Sequence, residues 1–317
     1  MTLTSENLTG YEAALRGAAL YVVPDPGYLR VQGEDQQAFI QRQTTNDARQ
    51  LAPGQTQQTV LTSATARILD VWRLVPEQDA TGVITLAGRG ARTARYLQSR
   101  IFFMDKVAVT DASAAYAQID VFGPQAADVL RRARVEPPAP DALSEIDGVR
   151  VIGLGSAWRV LVPIAQRDDW SARLGEAGAV TLGPDAYHVL RVEMGQPGPE
   201  RELTDDFTPL EANLDRAISD AKGCYTGQEI IARQITYDKI TRRLAGVRLE
   251  SAVPLGSTVT VEGRTAGEIT SVVESPRFGP IALAVIKRPH HAAGTAVQVR
   301  VTDGETVGGM VSELPFG

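Results

Sequence analysis

The segment Lys222-Gly223-Cys224-Tyr225-Thr226-Gly227-Gln228-Glu229 divides two kinds of sequence, and reading outward from it decides the fold. Downstream, after Arg243, short alternating runs at 244–249, 258–261, 268–273, 281–286, 296–301 and 306–311 are separated by Gly and Pro. Period-two alternation marks half-buried strands. Six of them within about seventy residues predict a small antiparallel β-barrel over 243–317.

Upstream, strands and helices mix. Residues 28–33 read as a strand entering a turn, and Asp35 as the N-cap of a helix that turns Phe39 and Ile40 inward. That helix ends near the polar cluster Thr44-Thr45-Asn46-Asp47. Strands are expected at 59–62, 68–75 and 82–86, followed by a helix over 91–100. Further strands at 115–121, 149–154 and 158–163 accompany helices at 125–134 and 168–175. Two such lobes make the 1–242 region α+β. No Gly-x-Gly-x-x-Gly joins a strand to a helix, so a dinucleotide fold has no support.

The net charge of -6 argues against a broad phosphate-binding face, so direct nucleic-acid binding is not expected. Residues 1–6 lack the basic-then-apolar pattern of a signal peptide, and the apolar runs, 281–286 among them, are too short to span a bilayer. The expectation is a cytoplasmic protein with no membrane partner. A single cysteine excludes an internal disulfide and an all-cysteine metal site within one chain. His290 and His291 are adjacent and His188 is remote, which is not a metal-ligand spacing.

Three groups could carry chemistry. Around Cys224, Gly223 and Gly227 permit positive φ or close backbone approach, and the charge of Lys222 favours a thiolate. A lone cysteine is as readily a small buried hydrophobe, although the polar company of this one speaks against a dry core. Glu193, at a predicted helix end before a Gly-Gln-Pro turn, could accept two N–H donors from a guanidine-like heterocycle edge, the mirror image of an arginine–carboxylate fork. On residue type alone, a solvated helix-end carboxylate is the commoner reading. The cations Arg233, Lys239, Arg242 and Arg243 could hold the carboxylates of an acidic ligand, or simply form a solvated face.

In this order the fragments resemble the folate-binding YgfZ/T-protein family, and specifically its YgfZ branch. The matching segments are Val31-Gln32-Gly33-Glu34-Asp35 with Phe39, Thr45-Asn46-Asp47, Ala66-Arg67-Ile68-Leu69-Asp70 and Arg191-Val192-Glu193-Met194-Gly195. They continue with Thr208-Pro209-Leu210-Glu211-Ala212-Asn213-Leu214, the 222–229 segment and Gly267-Glu268-Ile269-Thr270-Ser271. The resemblance implies a three-lobed ring of two interleaved α+β lobes and a barrel, with tetrahydrofolate or a one-carbon derivative in a central channel. It implies Glu193 as the pterin ligand, with Lys222, Tyr225, Arg242 and Arg243 near the folate or its glutamyl tail.

T-proteins carry paired aspartates where this chain reads Asp70-Val71, and an aspartate there assists aminomethyl transfer. They have no cysteine where Cys224 stands. Cys224 and Asp70 are therefore the candidate catalytic residues, and a glycine-cleavage aminomethyltransferase is the alternative reading. YgfZ-like proteins are implicated in assembling or maintaining iron–sulfur enzymes, including radical enzymes that thiomethylate tRNA, so such enzymes are the expected partners. One thiolate could lend a ligand to a transient cluster but could not hold it alone, since that takes about four protein ligands.

Overall fold

Helix α1 (Ser5–Arg16) and strand β1 (Ala19–Val22) precede β2 (Gly27–Gln32), α2 (Gln36–Gln43), β3 (Gln57–Thr62), β4 (Ile68–Pro76), β5 (Ala80–Thr85), α3 (Gly90–Gln98) and β6 (Ala108–Asp111). The chain continues through β7 (Tyr116–Phe122), α4 (Ala126–Arg132), β8 (Leu143–Ile146), β9 (Val149–Gly153), β10 (Ala157–Pro163), α5 (Arg167–Glu176), β11 (Val180–Thr181) and α6 (Pro184–Glu193). Helix α7 (Gln228–Thr236) then leads to β12 (Arg242–Leu249), β13 (Thr258–Val261), β14 (Arg264–Ser275), β15 (Gly279–Lys287), β16 (Ala296–Arg300) and β17 (Thr306–Ser312). This computed structural model describes residues 3–301 and 304–317; Met1 and Thr2, part of the stretch read above for a signal pattern, lie outside it.

The first lobe is a five-stranded antiparallel sheet, β3-β4-β5-β2-β6, with Phe39 and Ile40 of α2 and Ala94 and Leu97 of α3 packed on one face. The second is a six-stranded sheet, β11-β1-β7-β10-β9-β8, covered by Val129, Leu130, Trp170 and Leu174 of α4 and α5. The α+β expectation is met, with one feature that local patterning does not reveal. Strand β1, which precedes the whole first lobe, lies in the second sheet, pairing antiparallel with β7 and parallel with β11. The lobes are therefore interleaved. The last six strands close a barrel in the order β12-β15-β14-β13-β16-β17, and closure removes exposed edges.

What joins the lobes is a shared core: Tyr11 of α1, Val71 of β4, Leu190 and Val192 of α6, and Ile281, Leu283 and Val285 of β15 lie in one buried cluster. Helix α6 thus packs at the junction of all three bodies. Asp35 begins α2 as expected but makes no side-chain cap; its carboxylate instead accepts from the Lys106 N–H at 2.9 Å, tying β6's approach to the helix start. No helix among the described residues is long and apolar enough to cross a membrane.

Strand β4 settles which of two neighbouring residues meets the centre. Period-two alternation puts Asp70 and Leu74 on the face under α3, and Val71 and Arg73 on the other. Asp70 is fully buried and accepts from Thr93 Oγ1 at 2.5 Å, Val71 N at 2.9 Å and Leu86 N at 3.1 Å. Burial raises its pKa from 3.8 to about 6 despite those donors. Because the folded value is the higher one, the stability Asp70 contributes is full below the unfolded pKa and is lost as pH rises through 6. In urea unfolding at pH 4 and pH 7, Asp70→Asn should gain about 2–3 kcal/mol on the wild type between the two conditions. A constant offset between the curves would show that Asp70 does not titrate this way.

Candidate functional site

A cavity of about 1020 Å³ opens where the three bodies meet, walled by β1, β4, β5, β7, β10, the end of α6 and the carboxyl-terminal Pro315 and Phe316. Its surface is mainly apolar with a few polar groups, the usual character of a small-molecule site. Glu193, the last residue of α6, reaches it from the core and is 3% exposed. Its Oε1 accepts from the Tyr11 hydroxyl at 2.6 Å and from Ser275 Oγ at 2.6 Å. Burial, with the Glu193 carboxylate beside it, drives the Tyr11 pKa upward, which keeps the phenol a donor. Oε2 is buried and receives no hydrogen bond; Arg277 Nη1 lies 3.5 Å away. A buried acceptor left without a donor costs about 1–3 kcal/mol, so this oxygen is built to receive one.

The opposite wall carries residues that the sequence reading missed. Asp120 on β7 and Arg159 on β10 stand directly across from each other in register and form a two-pronged ion pair at 2.6 and 2.7 Å. Tyr21 of β1 stacks on Tyr187 of α6 with ring centroids 4.0 Å apart and planes 6° from parallel. Burial and the nearby Asp120 push the Tyr187 pKa to about 12. Arg191, two residues before the end of α6, donates to Ser271 Oγ at 2.7 Å, Glu202 at 3.3 Å and His188 Nδ1 at 3.1 Å. Burial and that guanidinium lower the His188 pKa to about 4. Alternation within 115–121 could have put Gln118 and Asp120 on one face. Only the strand register supplies the partner.

The cysteine segment forms a separate locale. Cys224 is exposed and is not among the residues lining the cavity. Of the two glycines read as conformationally special, only Gly227 is: its φ is +85°, and a Cβ there would lie 2.7 Å from the Ser63 carbonyl oxygen. A Cβ on Gly223 would meet nothing within 4 Å. Around them, Thr226 N–H donates to the Arg42 carbonyl at 3.2 Å and Thr62 Oγ1 to the Thr226 carbonyl at 2.6 Å.

The cationic residues expected at the ligand are engaged elsewhere. Lys222 is 6% exposed, and its Nζ donates to the carbonyls of Gln41 at 2.7 Å, Thr44 at 2.5 Å and Asn46 at 2.7 Å. An ammonium has three donors, and all are taken, at the end of α2 where helix carbonyls lack internal partners. Burial lowers its pKa to about 8, against the charge of Asp47, which favours the ammonium. Tyr225 is buried with Ala66, Leu210, Ile231 and Ile240, its ring 4.9 Å from that ammonium; burial raises its pKa to about 12. Arg242 donates to Glu211 at 2.7 Å and to the Asp206 carbonyl at 2.6 Å, Arg243 to Asp215 at 3.0 Å, and Arg233 pairs with Glu229 at 2.9 Å. None of these lines the cavity. Asp70 is turned away from it, and Val71 stands at the wall instead. Of the candidate site residues named from the sequence, Glu193 alone lines the cavity. Among the described residues, no cluster of His, Cys, Asp or Glu could hold a metal ion.

Comparison with known proteins places these features in a wider setting. Residues 9–142 match the GCVT N-terminal domain, and residues 242–316 the glycine cleavage T-protein C-terminal barrel domain. The Arabidopsis thaliana protein At1g60990, provisionally named a chloroplastic transferase, is 33% identical over 303 residues, covering 92% of this chain and 69% of that protein. An aminomethyltransferase of Halalkalibacterium halodurans is 26% identical over 330 residues, covering 96% and 88%. The crystal structure of the glycine cleavage system aminomethyltransferase T from Bartonella henselae superposes with a TM-score of 0.87 at 22% identity, covering 98% of this chain and 89% of that one.

The three carbonyls beneath Lys222 give its substitution a definite sign. Lys222→Met should lose about 2–3 kcal/mol of stability, read as a lower urea midpoint, because it strands buried acceptors. A variant as stable as the wild type would show that water serves those carbonyls equally well.

Proposed function

Because the chain belongs to the glycine cleavage T-protein family, we propose that it binds tetrahydrofolate, or a one-carbon derivative, in the central cavity, and that it acts as a YgfZ-type accessory protein for iron–sulfur enzymes. The observation that carries the reading is Glu193, whose Oε1 is fixed by Tyr11 and Ser275 while Oε2 is left without a donor at a cavity wall. That oxygen suits the paired N–H edge of a pterin, and the Tyr21–Tyr187 stack and Phe122 suit its flat faces. Bound folate supplies a carrier for one-carbon units. The protein's part is to fix the carboxylate and to bury the ring. The 1–242 region provides most of this site, and the barrel completes it with Ser275 and Arg277.

Three features support an accessory role over aminomethyl transfer. Val71 faces the cavity where a transferase of this family would need a carboxylate, and Asp70 is locked beneath α3. Asp120, the other acid at the wall, is committed to Arg159. Cys224 is exposed outside the cavity, so a partner can reach its thiol without entering the folate site. Iron–sulfur enzymes, including those that thiomethylate tRNA, are the partners we assign to it. A free exposed thiol suits a reducing compartment such as the cytoplasm.

Calorimetric titration should show tetrahydrofolate binding by the wild type, binding weakened about tenfold or more in Glu193→Gln, and unchanged binding in Cys224→Ala. A wild type that binds no reduced folate would sink the reading. In cells lacking the protein, Cys224→Ala should fail to restore tRNA thiomethylation; full restoration would remove the thiol from the mechanism. Tetrahydrofolate-dependent release of formaldehyde or methylene-folate from an amine donor would replace the accessory role with the transferase one.

A further inference from the structure

Arg277 lies in the hairpin between β14 and β15, on the cavity wall, with its side chain 46% exposed. Its Nη1 stands 3.5 Å from Glu193 Oε2, an ion pair without a hydrogen bond. The guanidinium rests 4.5 Å from the centre of the Phe278 ring. The backbone N–H groups of Arg277 and Phe278 both donate to Ser275 Oγ at 3.0 Å, and that hydroxyl donates to Glu193 Oε1. Hairpin and carboxylate are one hydrogen-bonded unit.

The other arginines at the cavity are fixed. Arg159 grips Asp120 with two bonds, Arg191 donates to four acceptors, and Arg73 bonds Asp141 and Thr56. Among the described residues, Arg277 is the cavity-lining arginine whose guanidinium donates no hydrogen bond. Only the arginine side of this pair is exposed, and without a hydrogen bond it holds the buried carboxylate less firmly than two parallel N–H donors would. A guanidinium and the amidine edge of a 2-aminopyrimidinone ring present that same pair of donors.

We propose that Arg277 is a placeholder: it covers Glu193 Oε2 in the free protein and yields it to ligands with a guanidine-like edge, swinging out along the Phe278 ring. The proposal rests on Glu193 being the ligand carboxylate. Arg277 thereby sets affinity and selectivity. A planar donor pair displaces it, and a simple amine does not.

Arg277→Met keeps the chain length over Phe278 and removes the competing cation. It should bind tetrahydrofolate and free 2-amino-4-oxopteridine about three- to tenfold more tightly than the wild type. The gain should vanish in the Glu193→Gln background. Unchanged or weaker binding overturns the proposal, since Arg277 would then be a bystander or a ligand contact. A second measurement does not depend on folate. Millimolar methylguanidine should raise the melting temperature of Arg277→Ala, with no rise in the wild type, none in Arg277→Ala/Glu193→Gln, and none with methylamine. If that response holds while the wild type binds no folate, the placeholder stands and the folate reading falls. An equal response to methylamine overturns the selectivity claimed for the slot.

Discussion

The Glu193 carboxylate lies where three bodies of the chain converge, and a buried acid so placed depends on donors that distant parts of the chain bring to it. The first helix supplies the Tyr11 hydroxyl, the barrel supplies Ser275 Oγ, and α6 carries the carboxylate between them. The backbone takes part as well, since Phe316 N–H donates to the Glu193 carbonyl at 2.8 Å and draws the carboxyl terminus over the same spot. These bonds join residues far apart in the chain, so they form only when the barrel and the carboxyl terminus dock against α1 and α6. The shared apolar core around α6 brings in the first lobe as well, through Val60, Ile68 and Val71. Assembly of the ring and assembly of the site are thus one event.

The cysteine segment follows a different logic. Its position is set by Lys222, buried against three carbonyls at the end of α2, and by Gly227, whose left-handed backbone fits against the 62–67 turn. Both features anchor the segment to the first lobe, and the thiol is left at the surface between them. The cations that follow, Arg242 and Arg243, are matched to carboxylates of the 206–215 stretch and fasten the barrel's first strand there. Residues that a sequence reader would assign to an acidic ligand here hold parts of the protein to one another.

Strand positions in both lobes and all six barrel strands were legible because half-buried strands must alternate and turns need Gly, Pro or Asn. Less legible were the short elements whose existence depends on a partner: β1, β6, β8 and β11 are two to four residues long, and each is a strand only because a neighbour offers a ladder. Of the candidate site, Glu193 stood out through the family resemblance, since its place at a helix end before a tight turn reads by itself more readily as a solvated carboxylate. The Asp120–Arg159 pair could not, because no local pattern tells which strand will lie beside β7.

By itself the sequence determined the element types, the α+β lobes and barrel, the lone thiol and the carboxylate at the end of α6. These depend on periodicity and composition, which are local. Only the tertiary structure decided which side of β4 meets the cavity: alternation says that Asp70 and Val71 face opposite ways, and docking of α3 says that Asp70 is the one turned inward. It also decided that Lys222 is an anchor, because its acceptors lie 176 to 181 residues away in sequence. A side chain's chemistry is written in its residue type. Its occupation is fixed by what the fold brings against it.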